Sequence, residues 1–472
     1  MRSYNRGLFQ RQASFPRRQF LQDGDLPFTD VLSDEVIAQA LTATGVVCLD
    51  RIYSPLVTLW VFLGQVLSAD HSCRAAVARL IAHRLSRKQR PCSATTGAYC
   101  QARKRLPEQF FSAVACLVGR ALEAKLDSRW LWKDRRVYMF DGTTVSMPDT
   151  PENQAAYPQV YNQKPGIGFP IARVGVITSL ACGTVLNLGF CKYAGKGQGE
   201  VSLLRRLWDV LQRGDVLLAD SLLSNWTGIV LLQERGVDLV SRLNKAHRKA
   251  DFRRGVRLGE DDHIVRWRKP TSIRSVDRQT YHTLPEYVTI REARFRIEQL
   301  GFRTKAIVVV TTLLDPVETT KEDLAAFYRA RWNNELDLRS IMSTMKMDIL
   351  RCKTPELVHK EVWTHILAYN LIRTIMAQTA AKSGLQPRGI SFKGTLQTLE
   401  AFQPLIDFQR RDVALRDALY QQLLDAVALH RVADRPDRFE PRKRKRPPVK
   451  FDQMMKPRWV LKREMAKRVR GN

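Results

Sequence analysis

The chain has 472 residues, of which 44% are hydrophobic, so it is long enough for two or three domains with substantial cores. Lys and Arg number 77 against 47 Asp and Glu, which gives a formal net charge of +30 and a pI near 10.2. Such an excess of one sign repels itself and predicts a polyanionic partner, nucleic acid first and an anionic membrane surface second.

The sequence gives little support for a membrane or secreted protein. The longest apolar stretch, 56–67, is interrupted by Gln65 and is shorter than the roughly 20 residues that a membrane span needs. The first residues have no apolar segment of the signal-peptide type. The eight cysteines form no Cys-x2-Cys pair, which argues against a zinc ribbon and for reduced thiols. We therefore expect a cytoplasmic protein without a membrane partner.

Residues 1–133 are predicted to form a helical domain. Apolar positions recur at helical spacing between 31 and 128, and basic stretches separate the apolar segments, among them Arg103, Lys104 and Arg105. Helices with basic turns suit duplex DNA, so we interpret this region as DNA-binding. The alternative is a helical bundle with a solvated charged face.

From residue 134 the pattern changes to short apolar runs that alternate with amphipathic segments. Strands are predicted at 137–140, 172–179, 185–190, 216–219 and 237–243, with helices at 201–211 and 226–235. This order predicts an α/β layer built on a mixed sheet over 134–245.

The last part of the chain is predicted to contain a β insertion, then helices, then a basic tail. Residues 246–320 open with a basic loop and continue as alternating segments, which indicates an antiparallel insertion. A helix capped by Thr319 or Thr320 is predicted to run to about Lys346, within a helical region that spans 321–432. Residues 433–472 combine prolines with a high density of Lys and Arg and are predicted to be disordered.

Two of the predicted strands end in an aspartate. The runs VYMF and VLLA, four apolar residues each, are followed by Asp141 and Asp220. Continuous apolarity indicates strands buried on both faces, and the carboxyl ends of such strands form the edge where α/β proteins bind ligands. A single aspartate at a strand end is more often a turn residue, but two in the same context favour a shared site.

The helix after the insertion offers a third acid. Tyr328 and Glu335 lie within about 20° of each other on the helical wheel. Arg331 is one turn before Glu335 and Arg339 one turn after it. This face suits a site that binds phosphate and metal; the alternative is a surface ladder of Arg–Glu pairs.

The three acids predict a magnesium site. Carboxylate oxygens are the ligands that Mg²⁺ prefers, and two such ions roughly 3.5–4 Å apart can activate a water or a 3′-hydroxyl and stabilise the leaving oxygen. Asp141, Asp220 and Glu335 are therefore the predicted catalytic and metal-binding residues, with Mn²⁺ expected to substitute for Mg²⁺. Arginines and lysines nearby would stabilise charge on the phosphate.

With these features the chain resembles the DDE transposases of bacterial insertion sequences, specifically the insertion-sequence-four family. The match is to the branch marked by Tyr-x2-Arg-x3-Glu-x6-Lys and extends from about residue 30 to 430. The resembling pieces are Asp141-Gly-Thr-Thr, Leu218-Ala-Asp220, the segment 240–248, and the helix with Tyr328, Arg331 and Glu335. The resemblance implies an α/β fold: an RNase H-like mixed-sheet catalytic core with an antiparallel β insertion, flanked by N- and C-terminal helical regions.

The resemblance also implies an activity and roles for individual residues. Asp141, Asp220 and Glu335 would hold the metal ions, and Tyr328 and Arg331 would contact the 5′-phosphate of the element end. The chemistry would be cut-and-paste transposition: nicking, hairpin formation, hairpin opening and strand transfer. Trp267 would stack on a flipped base, with cross-strand packing as the alternative role. The remaining residues expected to line the DNA path are Lys245, His247 and Arg248.

The partners that the resemblance implies are double-stranded DNA and a second copy of the chain. The DNA comprises the terminal inverted repeats of the element and the target site, bridged by a homodimer in the bacterial cytoplasm or nucleoid. The N-terminal helical domain would bind the element ends.

One signature position departs from the family pattern, because Met342 stands where the lysine is expected. On a continuous helix Lys346 would lie about 20° from Glu335, so Lys346 or Arg339 is predicted to take over the phosphate contact. Because of this departure, the alternative that the protein is a decayed copy, which binds DNA without cutting it, stays open. A metal-dependent nuclease without strand transfer is the other alternative. An RNA-binding or ribosome-associated protein fits the charge but not the spaced carboxylates.

Overall fold

The computed structural model describes residues 32, 34–47, 51–246, 248–271, 273, 276–296, 306–408, 413–433 and 454–470. Two compact units divide the chain, and each is interrupted by segments of the other. A helical unit takes in the described residues up to 134, together with 181–187 and 336–432. An α/β unit takes in 135–180, 188–335 and the described residues after 433.

The helical unit is built around one long helix, α12. Its first five helices are α1 (Asp34–Thr44), α2 (Pro55–Leu67), α3 (Cys73–Ser86), α4 (Gly97–Arg105) and α5 (Glu108–Ala124). The later ones are α12 (Pro355–Ser383), α13 (Phe392–Phe408) and α14 (Val413–Ala428). Helix α12 packs against α2, α5 and α14, and most of its side chains are buried. The helical regions predicted at the two ends of the sequence therefore share one core.

A buried amide joins α12 to the turn at 181–187. The Asn370 Oδ1 accepts hydrogen bonds from the Thr184 hydroxyl at 2.9 Å and from the Val185 amide at 2.8 Å. Its Nδ2 donates to the carbonyls of Ala115 and Val185. Because both ends of this buried amide are satisfied, the asparagine fixes α12 and α5 to the turn without a desolvation penalty.

The α/β unit is organised by a single nine-stranded sheet. Its strands are β1 (Val137–Ser146), β2 (Ile171–Ser179), β3 (Val185–Lys192), β4 (Val216–Ala219), β5 (Asp238–Arg242), β6 (Val256–Gly259), β7 (Asp262–Arg268), β8 (Tyr287–Arg296) and β9 (Ala306–Thr311). The strand order is β3-β2-β1-β4-β5-β9-β8-β7-β6. The short helices of this unit are α6 (Pro151–Ala156), α7 (Glu200–Leu207), α8 (Trp226–Glu234) and α9 (Arg278–Thr283).

The first five strands form the mixed sheet that the sequence predicts. Strand β1 pairs antiparallel with β2 and parallel with β4, and β4 pairs parallel with β5. Helix α7 packs on β1 and β2, and α8 on β5, so amphipathic helices cover the sheet. This arrangement confirms the RNase H-like mixed-sheet core.

The predicted β insertion extends the same sheet. Strand β9 pairs antiparallel with β5, with Val240 opposite Thr311. Strands β8, β7 and β6 follow, each antiparallel to the one before. The insertion is therefore antiparallel as predicted, and its edge pairing with β5 makes it continuous with the core.

The helix after the insertion is broken, where the sequence predicts one helix to about Lys346. Helix α10 (Lys321–Ala330) is followed by α11 (Trp332–Arg339) and a π-helical turn, Ser340–Thr344. At the first break the Asn333 side chain donates to the Ala330 carbonyl at 2.9 Å. Lys346 then adopts a left-handed backbone with φ of 57°. Lys346 and Glu335 are therefore not on a continuous α-helix, and the predicted alignment of the two on one helical face is wrong.

The sequence predicts disorder over 433–472; residues 434–453 lie outside the described residues, whereas the described part, 454–470, contains regular structure. Helix α15 (Arg458–Arg470) lies in it, preceded by Pro457, whose ring lies close to Gly166. The helix contains residues that favour helices, such as Leu, Lys, Arg and Met. The prolines of the preceding segment lead to the prediction of disorder for the whole tail. Among the described helices, none combines the length and apolarity that crossing a bilayer would require.

Candidate active site

The first two predicted acids lie side by side on neighbouring parallel strands. Met139 in β1 pairs with Leu218 in β4, and each aspartate lies two residues further on. Asp141 and Asp220 therefore stand at the same level of the sheet. Asp220 ends β4 as predicted, but Asp141 lies within β1, because β1 continues to Ser146 by pairing with β2 after β4 has ended.

The same register brings a basic residue into line with the aspartates. Ala219 in β4 pairs with Ser241 in β5, so Asp220 is level with Arg242. Arg242 is not among the residues predicted for the site; its position at the end of a strand with a buried centre is the signal that could have revealed it. The sheet thus presents two carboxylates and a guanidinium across three adjacent strands.

The Asp141 side chain is partly buried and lies close to several charged groups. Its Oδ1 accepts a hydrogen bond from the Gly142 amide at 2.8 Å. The pKa of Asp141 is raised to about 6, chiefly by burial, with smaller contributions from the charges of Glu200 and Asp220 and opposing effects from the Gly142 amide and Arg331. Asp220 is fixed by its own turn, since its Oδ1 accepts from the Leu222 amide at 2.7 Å.

A further acid, Glu200, lies beside Asp141 and was not predicted. It stands in the first turn of α7 and forms an ion pair with Arg173 of β2 at 2.7 Å. A Cβ on Gly142 would come within 2.7–2.9 Å of Glu200 Cγ, Cδ and Oε1, so the glutamate lies against the backbone next to Asp141. Only the fold reveals this neighbour, because nothing in the sequence links residue 200 to residue 141.

Glu335, the third predicted acid, forms an ion pair with Arg331. The Arg331 Nη2 donates to Glu335 Oε1 at 2.8 Å, one turn apart as the helical spacing predicts. The same guanidinium is within electrostatic reach of Asp141. Arg331 therefore links the aspartates to the third acid.

Tyr328 belongs to the same group of charges. Burial raises the pKa of its hydroxyl, Asp220 adds to the rise, and Arg331 and Arg242 oppose it. Tyr328 and Arg331 of the helix thus interact electrostatically with residues of the sheet, and Glu335 is joined to them through Arg331. In the described part of the chain no three Asp, Glu, His or Cys side chains are close enough to hold a metal ion. The two aspartates offer the oxygen donors that Mg²⁺ prefers, while the Glu335 carboxylate is bound to Arg331.

A buried hydrogen bond fixes the helix that carries Glu335 to the sheet. The Thr178 hydroxyl of β2 donates to Asn334 Oδ1 at 2.8 Å, and both side chains are almost completely buried. Because Asn334 directly precedes Glu335, this contact sets the position of the acid. Asn334 is likewise not among the predicted site residues; a polar residue at a core position of the helix is the signal in the sequence that could have revealed it.

The residues predicted to line the DNA path lie mostly in the β5–β6 connection. Lys245 is exposed and donates to the Ala306 carbonyl, and the Arg248 guanidinium stacks on the Trp267 ring at 4.2 Å. Trp267 is 3% exposed, and its Nε1 donates to Glu292. A covered ring cannot stack on a base as it stands, so the structure favours the cross-strand packing alternative. His247 lies outside the described residues.

Arg339 lies one turn after Glu335 on the same helix, α11, as the helical spacing predicts, whereas Lys346 does not share a helical face with Glu335. Arg339 ends α11, and Lys346 lies beyond the π-helical turn. Met342, at the position of the expected lysine, is buried within that turn. The phosphate contact predicted for Arg339 or Lys346 stays a prediction.

Comparison with known proteins supplies the family. A family model described as "Transposase DDE domain" matches residues 132–371, more than half of the chain. The transposase InsG for insertion sequence element IS4, from Escherichia coli strain K12, is 27% identical over 447 residues, which cover 89% of this chain and 92% of that protein. The matched segment contains Asp141, Asp220 and Glu335.

Among solved structures, a piggyBac transposase synaptic complex with hairpin DNA is similar at 10% identity, with a TM-score of 0.43. The match covers 91% of this chain and 87% of that one. The mixed sheet, the paired aspartates and the family match over the α/β unit lead to one conclusion: the chain belongs to the DDE transposase family, as its resemblance to the insertion-sequence transposases predicts.

Proposed function

We propose that this transposase cuts DNA at the ends of a mobile element and joins the freed ends to target DNA, with Asp141, Asp220 and Glu335 as the metal-binding acids. The observation that carries the proposal is the parallel register of β1 and β4, which sets the two aspartates level with each other. Carboxylates brought together from distant points of the chain are what phosphodiester chemistry with divalent ions requires.

When bound, two Mg²⁺ ions would activate the attacking oxygen and stabilise the leaving one, and Mn²⁺ would be expected to substitute. Asp141 and Asp220 would hold them from the sheet, and Glu335 from α11. Arg331 occupies only the Oε1 atom of Glu335, so Oε2 would be the atom that coordinates an ion, and opening the ion pair would free both oxygens.

Arg331 would exchange its partner when DNA arrives. A phosphate offers a guanidinium the same bidentate geometry as a carboxylate, so Arg331 can move from Glu335 to the 5′-phosphate of the element end. The Tyr328 hydroxyl stays protonated at neutral pH because burial raises its pKa, and it can donate to the same phosphate. Arg242, level with Asp220, adds a positive charge on the sheet side.

The wider DNA contact would involve the basic residues of the β5–β6 connection. Lys245 and Arg248 are exposed there, and His247 lies between them in the sequence. Arg339 or Lys346 would supply the contact that Met342 cannot make. We further propose a homodimer that bridges two terminal inverted repeats in the bacterial cytoplasm or nucleoid.

The test is cleavage of DNA that carries the inverted repeats flanking the gene, with and without Mg²⁺. Wild-type protein should cut at the element ends, and Glu335→Gln should bind the same DNA without cutting it. Glu322→Gln, an exposed acid in the first turn of α10, is the matched control and should cut normally. Cleavage that survives Glu335→Gln would contradict the assignment.

Two alternatives are separated by further arms of the same assay. A pre-cut end with a free 3′-hydroxyl should be joined to a target plasmid; cutting without joining would indicate a nuclease. Tight binding with no cutting by any protein would indicate a decayed copy, and Met342→Lys would then be expected to restore activity if the missing lysine is the cause. Lys346→Ala tests whether Lys346 has taken over its role.

A further inference from the structure

The helical unit contains a cavity that the catalytic site does not use. Its volume is about 370 Å³, and it lies between the end of α1, the start of α2 and the end of α4. One part of its lining is polar and consists of Thr44, Arg51, Tyr53, Ser54, Thr58 and Arg105. The other part is apolar and consists of Val46, Val47, Pro55, Ala102, Leu106 and Pro107. Gly45 completes the wall.

Four of the described residues around the cavity carry a hydroxyl group, and one of these hydroxyls has no hydrogen-bond partner in the described part of the chain. The hydroxyls of Thr44, Tyr53 and Ser54 are each engaged within the protein. Thr58, one turn into α2, is 1% exposed, and its Oγ1 forms no hydrogen bond. A buried hydroxyl without a partner is costly, so an acceptor that enters the cavity would be stabilised by it.

Two guanidinium groups line the same cavity without acidic partners. Arg51 and Arg105 are both exposed, and neither forms an ion pair with an acid of the described residues. Among the described residues that line the cavity there is no Asp or Glu. Two cations and an unpaired hydroxyl around one space favour an anion with several acceptor oxygens.

Neighbouring basic residues show that Arg105 is not part of a uniformly charged face. Arg103 points into the core of the helical unit, with its guanidinium over the rings of Phe62 and Tyr99. Lys104 is exposed and does not line the cavity. Of the three basic residues at the end of α4, only Arg105 therefore reaches this site.

We propose that this cavity binds one backbone phosphate of duplex DNA, held by Arg51, Arg105 and the Thr58 hydroxyl. The apolar wall, with Val46, Pro55 and Leu106, gives the attached deoxyribose a surface to pack against. The volume exceeds that of a phosphate alone, which suits a nucleotide unit of a strand. The proposal rests on the proposed function, because it takes DNA as the substrate, but it needs no catalysis.

The first experiment measures equilibrium binding of the full chain to a duplex with the element end, in Ca²⁺ buffer at several salt concentrations. Arg51→Gln and Arg105→Gln should each weaken binding about 5- to 30-fold and make the salt dependence shallower by about one phosphate contact. Thr58→Val, which keeps the side-chain volume, should weaken binding a few-fold with the salt slope unchanged. Lys104→Gln removes the same charge next to the cavity and should have less than about a twofold effect.

The second experiment locates the phosphate. Duplexes with a single neutral methylphosphonate at successive positions should reveal one position where the substitution weakens wild-type binding but has no additional effect on Arg105→Gln. If the methylphosphonate and Arg105→Gln weaken binding additively at every position, the proposal is overturned. So would Arg51→Gln and Arg105→Gln binding as tightly as Lys104→Gln.

A third arm separates DNA from a free anion as the occupant. Inorganic phosphate and deoxynucleoside monophosphate should raise the melting temperature of the wild-type protein little, because a strand supplies many further contacts. Strong stabilisation by either compound, lost in Arg51→Gln while DNA affinity is unchanged, would reassign the cavity to a free phosphate. Weakened DNA binding by the cavity variants, together with no cleavage by any protein, would support this proposal and contradict the catalytic one.

Discussion

At the scale of single residues, the site depends on how closely Glu200 approaches the backbone beside Asp141. Glycine at 142 leaves room for the Glu200 carboxylate, which Arg173 holds from β2. The need for glycine here is steric and has no connection with backbone conformation, because its φ is not positive. The Asp-Gly motif of the strand is thus explained by a neighbour from another element.

Gly142→Ala should disturb this arrangement. The added methyl would overlap Glu200, so we expect a loss of about 1–3 kcal/mol of stability. We also expect a drop in cleavage of at least about tenfold, as Asp141 and Glu200 move apart. The measurements are urea unfolding and cleavage of the element end.

The matched test for Gly142→Ala is the double variant with Glu200→Ala. If steric overlap is the cause, the methyl should cost much less stability in the Glu200→Ala background, a non-additivity that a double-mutant cycle measures. Equal cost in both backgrounds would show that the glycine is needed for another reason.

At the scale of elements, α11 is held by polar contacts on both sides of Glu335. Asn334 hydrogen-bonds to Thr178 of β2 within the α/β unit. Two residues after Glu335, Asp337 is fully buried and pairs with Arg373 of α12 and with Arg388 inside the helical unit. Short helices gain little from propensity, so these contacts determine where α11 lies.

Asn334→Leu should therefore impair catalysis more than DNA binding. It removes the acceptor for the buried Thr178 hydroxyl, at a cost of about 1–3 kcal/mol. Glu335 should lose its position, so the cleavage rate should fall while affinity for the element end stays near wild type. Asn333→Leu is the control, because the Asn333 side chain donates to the Ala330 carbonyl at the end of α10. A fall in affinity equal to the fall in rate would count against a positioning role.

Two histidines in the helical unit predict acid sensitivity. Burial lowers the pKa of His71 to about 4 and that of His365 to about 3, and their rings lie 6.3 Å apart. Arg351 lowers both pKa values, Lys346 and Arg79 also lower that of His71, and Asp70 opposes them. The folded state therefore keeps both histidines neutral at pH values where the unfolded chain is protonated.

The direction in which stability changes with pH follows from which state takes up protons. Since the unfolded chain binds the additional protons, this stability is complete above about pH 6.5 and is lost as the pH falls from there towards 4. Each histidine should contribute a slope of about 1.4 kcal/mol per pH unit in that range. Denaturant unfolding between pH 7.5 and 5 measures it, and His365→Gln should make the dependence shallower. If stability depends equally steeply on pH in the wild type and in His365→Gln, His365 is not a source of the acid sensitivity.

At the scale of the whole molecule, the sequence predicts the elements well and their assembly less well. The strands with continuous apolar runs and the pairing of Asp141 with Asp220 follow from local patterns. The broken helix before Lys346 does not, because its apolar periodicity shows neither the local bond from the Asn333 side chain to the Ala330 carbonyl nor the left-handed backbone of Lys346. Glu200, Arg242 and Asn334 join the site only through the register of the sheet and the packing of helices on it.

The net charge of +30 predicts an affinity for DNA that depends on salt, and the basic tail should contribute part of that affinity. Each phosphate that a basic residue neutralises releases counterions, so the logarithm of the binding constant should fall steeply with the logarithm of salt concentration. Removing residues 434–472, where Lys and Arg greatly outnumber acids, should weaken binding to every duplex and make this slope shallower. The ratio of affinities for the element end and for random DNA should not change, since phosphate contacts carry no sequence information. Titrations between 50 and 200 mM salt test it. A loss confined to the element end would instead assign the tail a role in reading sequence.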